Sequence, residues 1–274
     1  MTDERGDAAA AAARRPELDR TAPPLPGRAV IRQRWSDFLF LHWRVPASEV
    51  APMLPAGTRP DVFDGSAWVG LIPFVLSDHA FLPLPPVPGL GTFIEINVRT
   101  YSVDEQGNHG VVFRSLDAEQ LPSVLAAQAL FGLPYRWAQA GMRRDAARGT
   151  VEYRARRRSG QHPRTRILAR PGATPVDTAL SRFLTARWGF HERHLGRTIH
   201  ARNTHEPWPL VEAELLALDD QLVAAAGFPG LAARKPDSVL ATPLGHPGLI
   251  TEFAAARTLP SGDAQRARRG RPVD

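Results

Sequence analysis

From about Val30 to Ala256 the chain reads as short β-rich runs broken by Gly, Pro, Asn and Asp, with no regular alternation of strand and helix. That pattern excludes a helical bundle and a doubly wound parallel sheet. It leaves a mainly β (α+β) domain with a few short helices, and closure into a barrel is one way to remove the sheet edges. The clearest strand is TFIEINVRTYSV (92–103). The turn DEQGNHG and the strand VVFRSLDA (111–118) follow, which predicts an antiparallel hairpin. VEYRARRR (151–158) and RTRILARP (164–171) predict a second hairpin, and FLFLHWRV (38–45), SAWVGLIPFVL (66–76) and SVLATPLG (238–245) predict further strands. The best helix is LPSVLAAQALFG (121–132), with Pro122 in its first turn and Gly132 to close it. PASEVAPMLPAG (46–57) reads as a short helix, TALSRFLTARWGFHE (178–192) as partly helical, and LVEAELLALDDQLVAAAG (210–227) as strand turning to helix. SDHAFLPLPPVPGLG (77–91) reads as a Pro-rich loop.

With 274 residues, 43% of them hydrophobic, the chain can fill one sizeable core. The expected layout is a disordered lead over residues 1–29, a single domain over 30–256 and a disordered basic tail over 257–274. No run of eighteen apolar residues exists and Ala8–Ala13 is too short for a signal core, so a cytoplasmic protein off the membrane is expected.

Composition removes several chemistries. There is no Cys, which excludes disulfides, thiolate zinc sites and thiol catalysis. The basic residues are Arg apart from Lys235, so an imine-forming enzyme would have to use that one Lys. The net charge of +6 is unevenly spread. Arg143–Arg170 carries +8 and the stretch from Arg257 onward +3, leaving a mildly acidic remainder of about −5. The hairpin puts Glu152, Arg154, Arg156 and Arg158 on one face without an interleaved aromatic row, so a charged sheet edge explains it and nucleic acid is not the expected partner.

The alternation of 93–101 carries the most chemistry. Ile94, Ile96, Val98 and Thr100 point one way, and Phe93, Glu95, Asn97, Arg99 and Tyr101 the other. A solvent face would explain the polar side. So would the inside of a ligand-binding barrel, where a few polar groups orient a ligand among aromatics, and the pattern alone does not choose. Same-face neighbours lie roughly 6.6 Å apart, which places Glu95 and Arg99 roughly 13 Å apart along the strand. They suit two ends of one ligand, Arg99 gripping a carboxylate or phosphate and Glu95 acting as acid, base or acceptor. Of the nine His, His191 and His194 in HERH lack the HExxH spacing and a third ligand, so a surface or capping role is expected and no metal. His42 reads as a satisfied core residue, and the THEPWPL segment around His205 as an edge or pocket wall.

The runs FLFLHWRVP, LPAGTRPDVFDGSAWVGLIPF, FIEINVRTY, VVFRSLDA, ALFGLPYRWAQAGM, RFLTARWGFH and THEPWPL, in this order, resemble the YqjF-like family of uncharacterised bacterial proteins over roughly residues 35–250. That family is similar in fold to acetoacetate decarboxylase, which implies a β-barrel-like domain with a central cavity. Acetoacetate decarboxylases form a Schiff base through a Lys in a Pro-Lys-Lys motif after a helix. The matching segment here is Gly132-Leu133-Pro134-Tyr135-Arg136, so the resemblance puts Tyr135 in the place of the reactive Lys and Arg136 in that of its neighbour. A phenol forms no imine.

Together these readings predict a cavity for a small anionic or carbonyl-bearing metabolite, with no cofactor. If it is an enzyme, it is of the lyase or isomerase type without a Schiff-base Lys. Glu95, Tyr135 and Arg136 are then the expected catalytic residues, and Phe93, Asn97, Arg99 and Tyr101 the ligand contacts. A homo-oligomer is compatible with the sequence. The competing expectation is a non-enzymatic binding or regulatory module that uses the Arg-rich hairpin 151–170.

Overall fold

The computed structural model describes residues 18–85, 92–120 and 132–260. The helix expected at 121–132 lies outside the described residues except for Gly132, as does the end of the Pro-rich loop.

Fifteen strands run along the described chain: β1 Ala29–Ser36, β2 Leu39–Val45, β3 Thr58–Pro60, β4 Ala67–Phe81, β5 Phe93–Asp104, β6 His109–Ala118, β7 Tyr135–Asp145, β8 Thr150–Arg157, β9 Arg164–Pro175, β10 Gly189–His194, β11 Arg197–Thr204, β12 Val211–Asp220, β13 Ser238–Ala241, β14 Leu249–Ala254 and β15 Arg257–Thr258. Three short helices join them: α1 Ala47–Val50, α2 Ala179–Thr185 and α3 Leu222–Ala225. The α2 helix starts with a capping box in which Thr178 and Ser181 bond reciprocally. Both expected hairpins are present, β5 on β6 and β8 on β9.

All the strands belong to one sheet whose pairings close on themselves twice. One circuit runs β1–β14–β11–β10–β6–β5–β4 and back to β1. The other runs β6–β7–β8–β9–β12–β13–β2–β4–β5 and back to β6. Strands β4, β5 and β6 belong to both. A strand shared by two circuits has no solvent face, and every residue of β5 is buried. The period-two alternation therefore separates two cores instead of core from water. Leu39, Leu41, Val69, Leu71, Ile94, Ile96 and Val98 pack into one. Phe38, Phe40, Trp68, Ile72, Phe74, Phe93 and Tyr101 pack into the other. This removes the solvent-face reading of Glu95, Asn97 and Arg99.

Residues 18–28 form no strand but lie on the body. Trp188 Nε1 donates to the Asp19 carbonyl at 3.0 Å, and Arg257 reaches the Pro26 carbonyl at 2.6 Å. No helix among the described residues is long and apolar enough to cross a membrane.

Candidate functional site

The seven-strand circuit encloses a cavity of about 300 Å³, at the small end of ligand pockets. Its apolar wall is aromatic: Trp35, Phe38, Phe40, Phe74 and Trp208 line it, with Phe38 stacked on Phe74 at 4.5 Å between centroids. Its polar groups include residues of β5, the start of β7 and the chain just past α2, with Gln33, His79, Asn203 and His205 elsewhere on the wall. Glu95, Asn97 and Arg99 enter in that order along β5, Tyr135 opposite Glu95, and Arg187 from the α2 side.

Glu95 and Tyr135 form the tightest unit. The Tyr135 hydroxyl donates to Glu95 Oε2 at 2.6 Å, and Asn97 Nδ2 lies 3.4 Å from Oε1. Burial pushes Glu95 up to about 7, with the nearby Asp117 charge adding to it, while the bonds from Tyr135 and Asn97 hold it back. Burial and the Glu95 charge raise the Tyr135 phenol well above its ordinary value, so it stays protonated. Near neutral pH the phenol keeps its proton, while the carboxyl passes between its protonated and ionised forms.

The other end is cationic. Arg99 donates through Nη2 to the Leu184 carbonyl at 3.0 Å and through Nε to the Tyr101 hydroxyl at 3.1 Å, both uncharged acceptors. Arg187 is 4% exposed and lies over the rings of Tyr101 and Phe183 at 4.5 and 4.3 Å. Its Nη1 donates to Asp61 Oδ2 at 2.6 Å and its Nε to the Phe183 carbonyl at 2.6 Å. Burial acts to raise Asp61, but Arg187 and His109 outweigh it and bring the carboxyl down to about 2. Asp61 pairs with Arg187, and Arg99 makes no ion pair among the described residues. Arg187 Nη2 and Asn97 Oδ1 are buried and make no hydrogen bond among the described residues.

The expected site residues separate into three groups. Phe93, Glu95, Asn97, Arg99 and Tyr135 meet at the cavity. Tyr101 sits one layer behind: it is fully buried, and its hydroxyl meets Leu184 O at 3.0 Å and His42 Nε2 at 2.6 Å, so it supports Arg99 without lining the cavity. Arg136 is elsewhere. It follows Tyr135 along β7, so alternation turns it to the outside, where it is exposed and lines a surface depression with Arg157. Lys235 is also exposed and away from the cavity.

Arg187 was missed because TARWGFHE reads as amphipathic helix. An Arg set among Phe183, Leu184, Trp188 and Phe190 was the available signal. The surface expectation for His191 also fails, since that ring is fully buried. HERH lies on a strand, where His191 and His194 face opposite ways. His205 is a cavity wall as expected, and burial lowers it to about 4. The hairpin arginines are mostly matched: Arg154 and Arg166 both meet Glu152, Arg157 meets the fully buried Asp117, and Arg170 meets Glu214.

Two strand circuits that share β4, β5 and β6, one of them around a small cavity, are the acetoacetate decarboxylase-like fold, as comparison with solved structures shows. The structure is similar to acetoacetate decarboxylase from Legionella pneumophila subsp. pneumophila str. Philadelphia 1, at TM-score 0.60 and 12% identity over 90% of this chain and 95% of that one. It is similar to an acetoacetate decarboxylase-like enzyme from Sphingomonas wittichii RW1, at 0.58 and 13% over 86% and 95%. It is also similar to the enduracididine biosynthesis enzyme MppR complexed with pyruvate, at 0.53 and 12% over 86% and 92%. The chain belongs to the DUF2071 family, described as an uncharacterized conserved protein, whose model matches residues 32–244. The uncharacterized protein YqjF of Bacillus subtilis (strain 168) is 32% identical over 188 residues, 68% of this chain and 76% of that protein.

Proposed function

We propose that the cavity binds a small carboxylate that carries a carbonyl group, with its carboxylate against Arg99 and Arg187 and its carbonyl carbon region against Glu95 and Tyr135. The observation that carries this reading is the polar layout along β5, a proton-holding pair at one end and two buried guanidinium groups at the other. A second anion inside the cavity offsets the cationic excess there, and the bidentate fork of Arg suits a carboxylate. MppR, a structural neighbour, is known with pyruvate bound, which agrees with this ligand class.

The chemistry that fits is proton transfer next to a carbonyl, an isomerase- or lyase-type reaction. Glu95 ionised is the base that removes a proton from the carbon beside the carbonyl, and Glu95 protonated returns it. Tyr135 donates a hydrogen bond to the carbonyl oxygen as negative charge gathers there. Among the described residues no amine faces the cavity, so this route uses no imine.

The test is a thermal-shift panel of 2-keto and 3-keto acids against the matching neutral amides. The acids raise the melting temperature of the wild type, the amides do not, and Arg99→Met abolishes the shift. Borohydride treatment leaves Lys235 unmodified. Absence of any acid-specific shift, or an equal shift in Arg99→Met, removes the proposal.

A further inference from the structure

A second cluster lies outside the cavity. Strands β10 and β11 are joined by a two-residue turn, Leu195-Gly196, in which both residues have positive φ, 47° and 75°. That turn sets His191 directly across from His200. Their neighbours Phe190 and Ala201 line the cavity, so alternation sends both imidazoles to the opposite face, where β5 ends at Asp104.

We propose that Asp104, His191 and His200 bind one divalent transition-metal ion of the zinc type. One ligand atom from each lies within 4.8 Å of the others. His191 Nε2 is 3.5 Å from Asp104 Oδ2. Two ligands about 2.1 Å from one tetrahedral ion sit about 3.4 Å apart, so this pair already has the spacing of a shared ion. A small turn of the partly exposed His200 ring brings the third ligand in. Nε2 of His191 and Nε2 of His200 are both buried and have no hydrogen-bond partner among the described residues. An Asp–His pair alone would leave His200 unexplained.

The surroundings hold the ligands as an outer shell does. Ser102 Oγ lies 2.9 Å from His191 Nδ1, which fixes the ring with Nε2 toward the cluster. Asn108 Nδ2 donates to Asp104 Oδ2 at 2.8 Å, and the backbone of Gln106 and Asn108 donates to Oδ1. Two strand glycines make the room. A Cβ on Gly110 would stand 2.6 Å from His191 Nδ1, and one on Gly189 would stand 2.7 Å from His200 Nε2. Two imidazoles and one carboxylate leave a coordination position for water, and the ion would tie the end of β5 to the hairpin that forms the far wall of the cavity.

The test uses the full chain without a histidine tag, stripped with a chelator and then titrated with Co²⁺ and, separately, Zn²⁺. One ion per chain is expected, with the visible absorption bands of four- or five-coordinate Co²⁺. Asp104→Asn and His200→Asn should each weaken Zn²⁺ binding at least ~100-fold, since even outer-shell losses cost about 10–100-fold. If either variant unfolds, the Co²⁺ spectrum of the wild type and the shift of the His200 ring nitrogen on Zn²⁺ addition decide the matter. No saturable binding by the folded wild type, or binding unchanged in both variants, overturns the proposal.

Discussion

Replacing Glu95 by Gln should make the protein more stable, and increasingly so as pH rises. The carboxyl goes from an ordinary value of 4.5 to about 7 in the fold, chiefly through burial. At 1.36 kcal/mol per pKa unit, ionising it costs the folded state about 3 kcal/mol. Between these two values the folded state holds a proton that the unfolded chain has released. The stability that Glu95 contributes is therefore complete below about pH 4.5 and is lost as pH rises through 7. Gln cannot ionise, keeps an oxygen to accept the Tyr135 hydroxyl, and escapes that loss. Urea unfolding of both proteins at about pH 5 and about pH 8 gives the comparison. The advantage of Glu95→Gln should widen by about 2–3 kcal/mol between them, as follows from a carboxyl at 4.5 in the unfolded chain and about 7 in the fold. Glu192 is also pushed up to about 7 by burial, but it is present in both proteins and cancels in the difference. A gap that stays constant, or a variant destabilised at both pH values, refutes the assignment of Glu95 as a buried carboxyl kept at the expense of stability. Retaining such a group is expected where it serves a site.

Tyr135→Phe removes the hydroxyl that holds Glu95 down, so the Glu95 titration followed by carbon NMR should move above its present value of about 7. Arg157→Met strands the fully buried Asp117 and should cost about 3–5 kcal/mol by chemical denaturation. Arg154→Ser removes an exposed partner of Glu152, which keeps Arg166, and should change stability by less than about 1 kcal/mol. Gly110→Ala pushes a Cβ against the His191 ring and should destabilise by about 1–3 kcal/mol, read by the same method.

Local patterns reached the elements that local signals govern. The β5–β6 hairpin, the strand-to-helix change near Asp220 and the two-faced alternation of β5 were all legible. What alternation could not say is what lies on each side, because circuit closure depends on pairings such as β4 with β1 and β6 with β10 that are far apart in sequence. Hence Glu95 was placed on a face that could equally have met water. The resemblance puts Tyr135 and Arg136 side by side after a helix, but they begin a strand, which sends them to opposite sides. Arg187 was hidden because a buried Arg is identified by its partner, and Asp61 is 126 residues away. The His191–His200 pair was readable in HERHLGRTIH once Leu195-Gly196 is taken as the turn, since a two-residue loop puts those positions opposite each other.

A crystal structure soaked with whichever keto acid gives the largest thermal shift tests the central claim most directly. The ligand should lie in the 300 Å³ cavity, with its carboxylate bonded to Arg99 and Arg187 and its carbonyl oxygen within hydrogen-bond reach of Tyr135 and Glu95. A ligand bound elsewhere, or one with its carboxylate against Glu95, would contradict it.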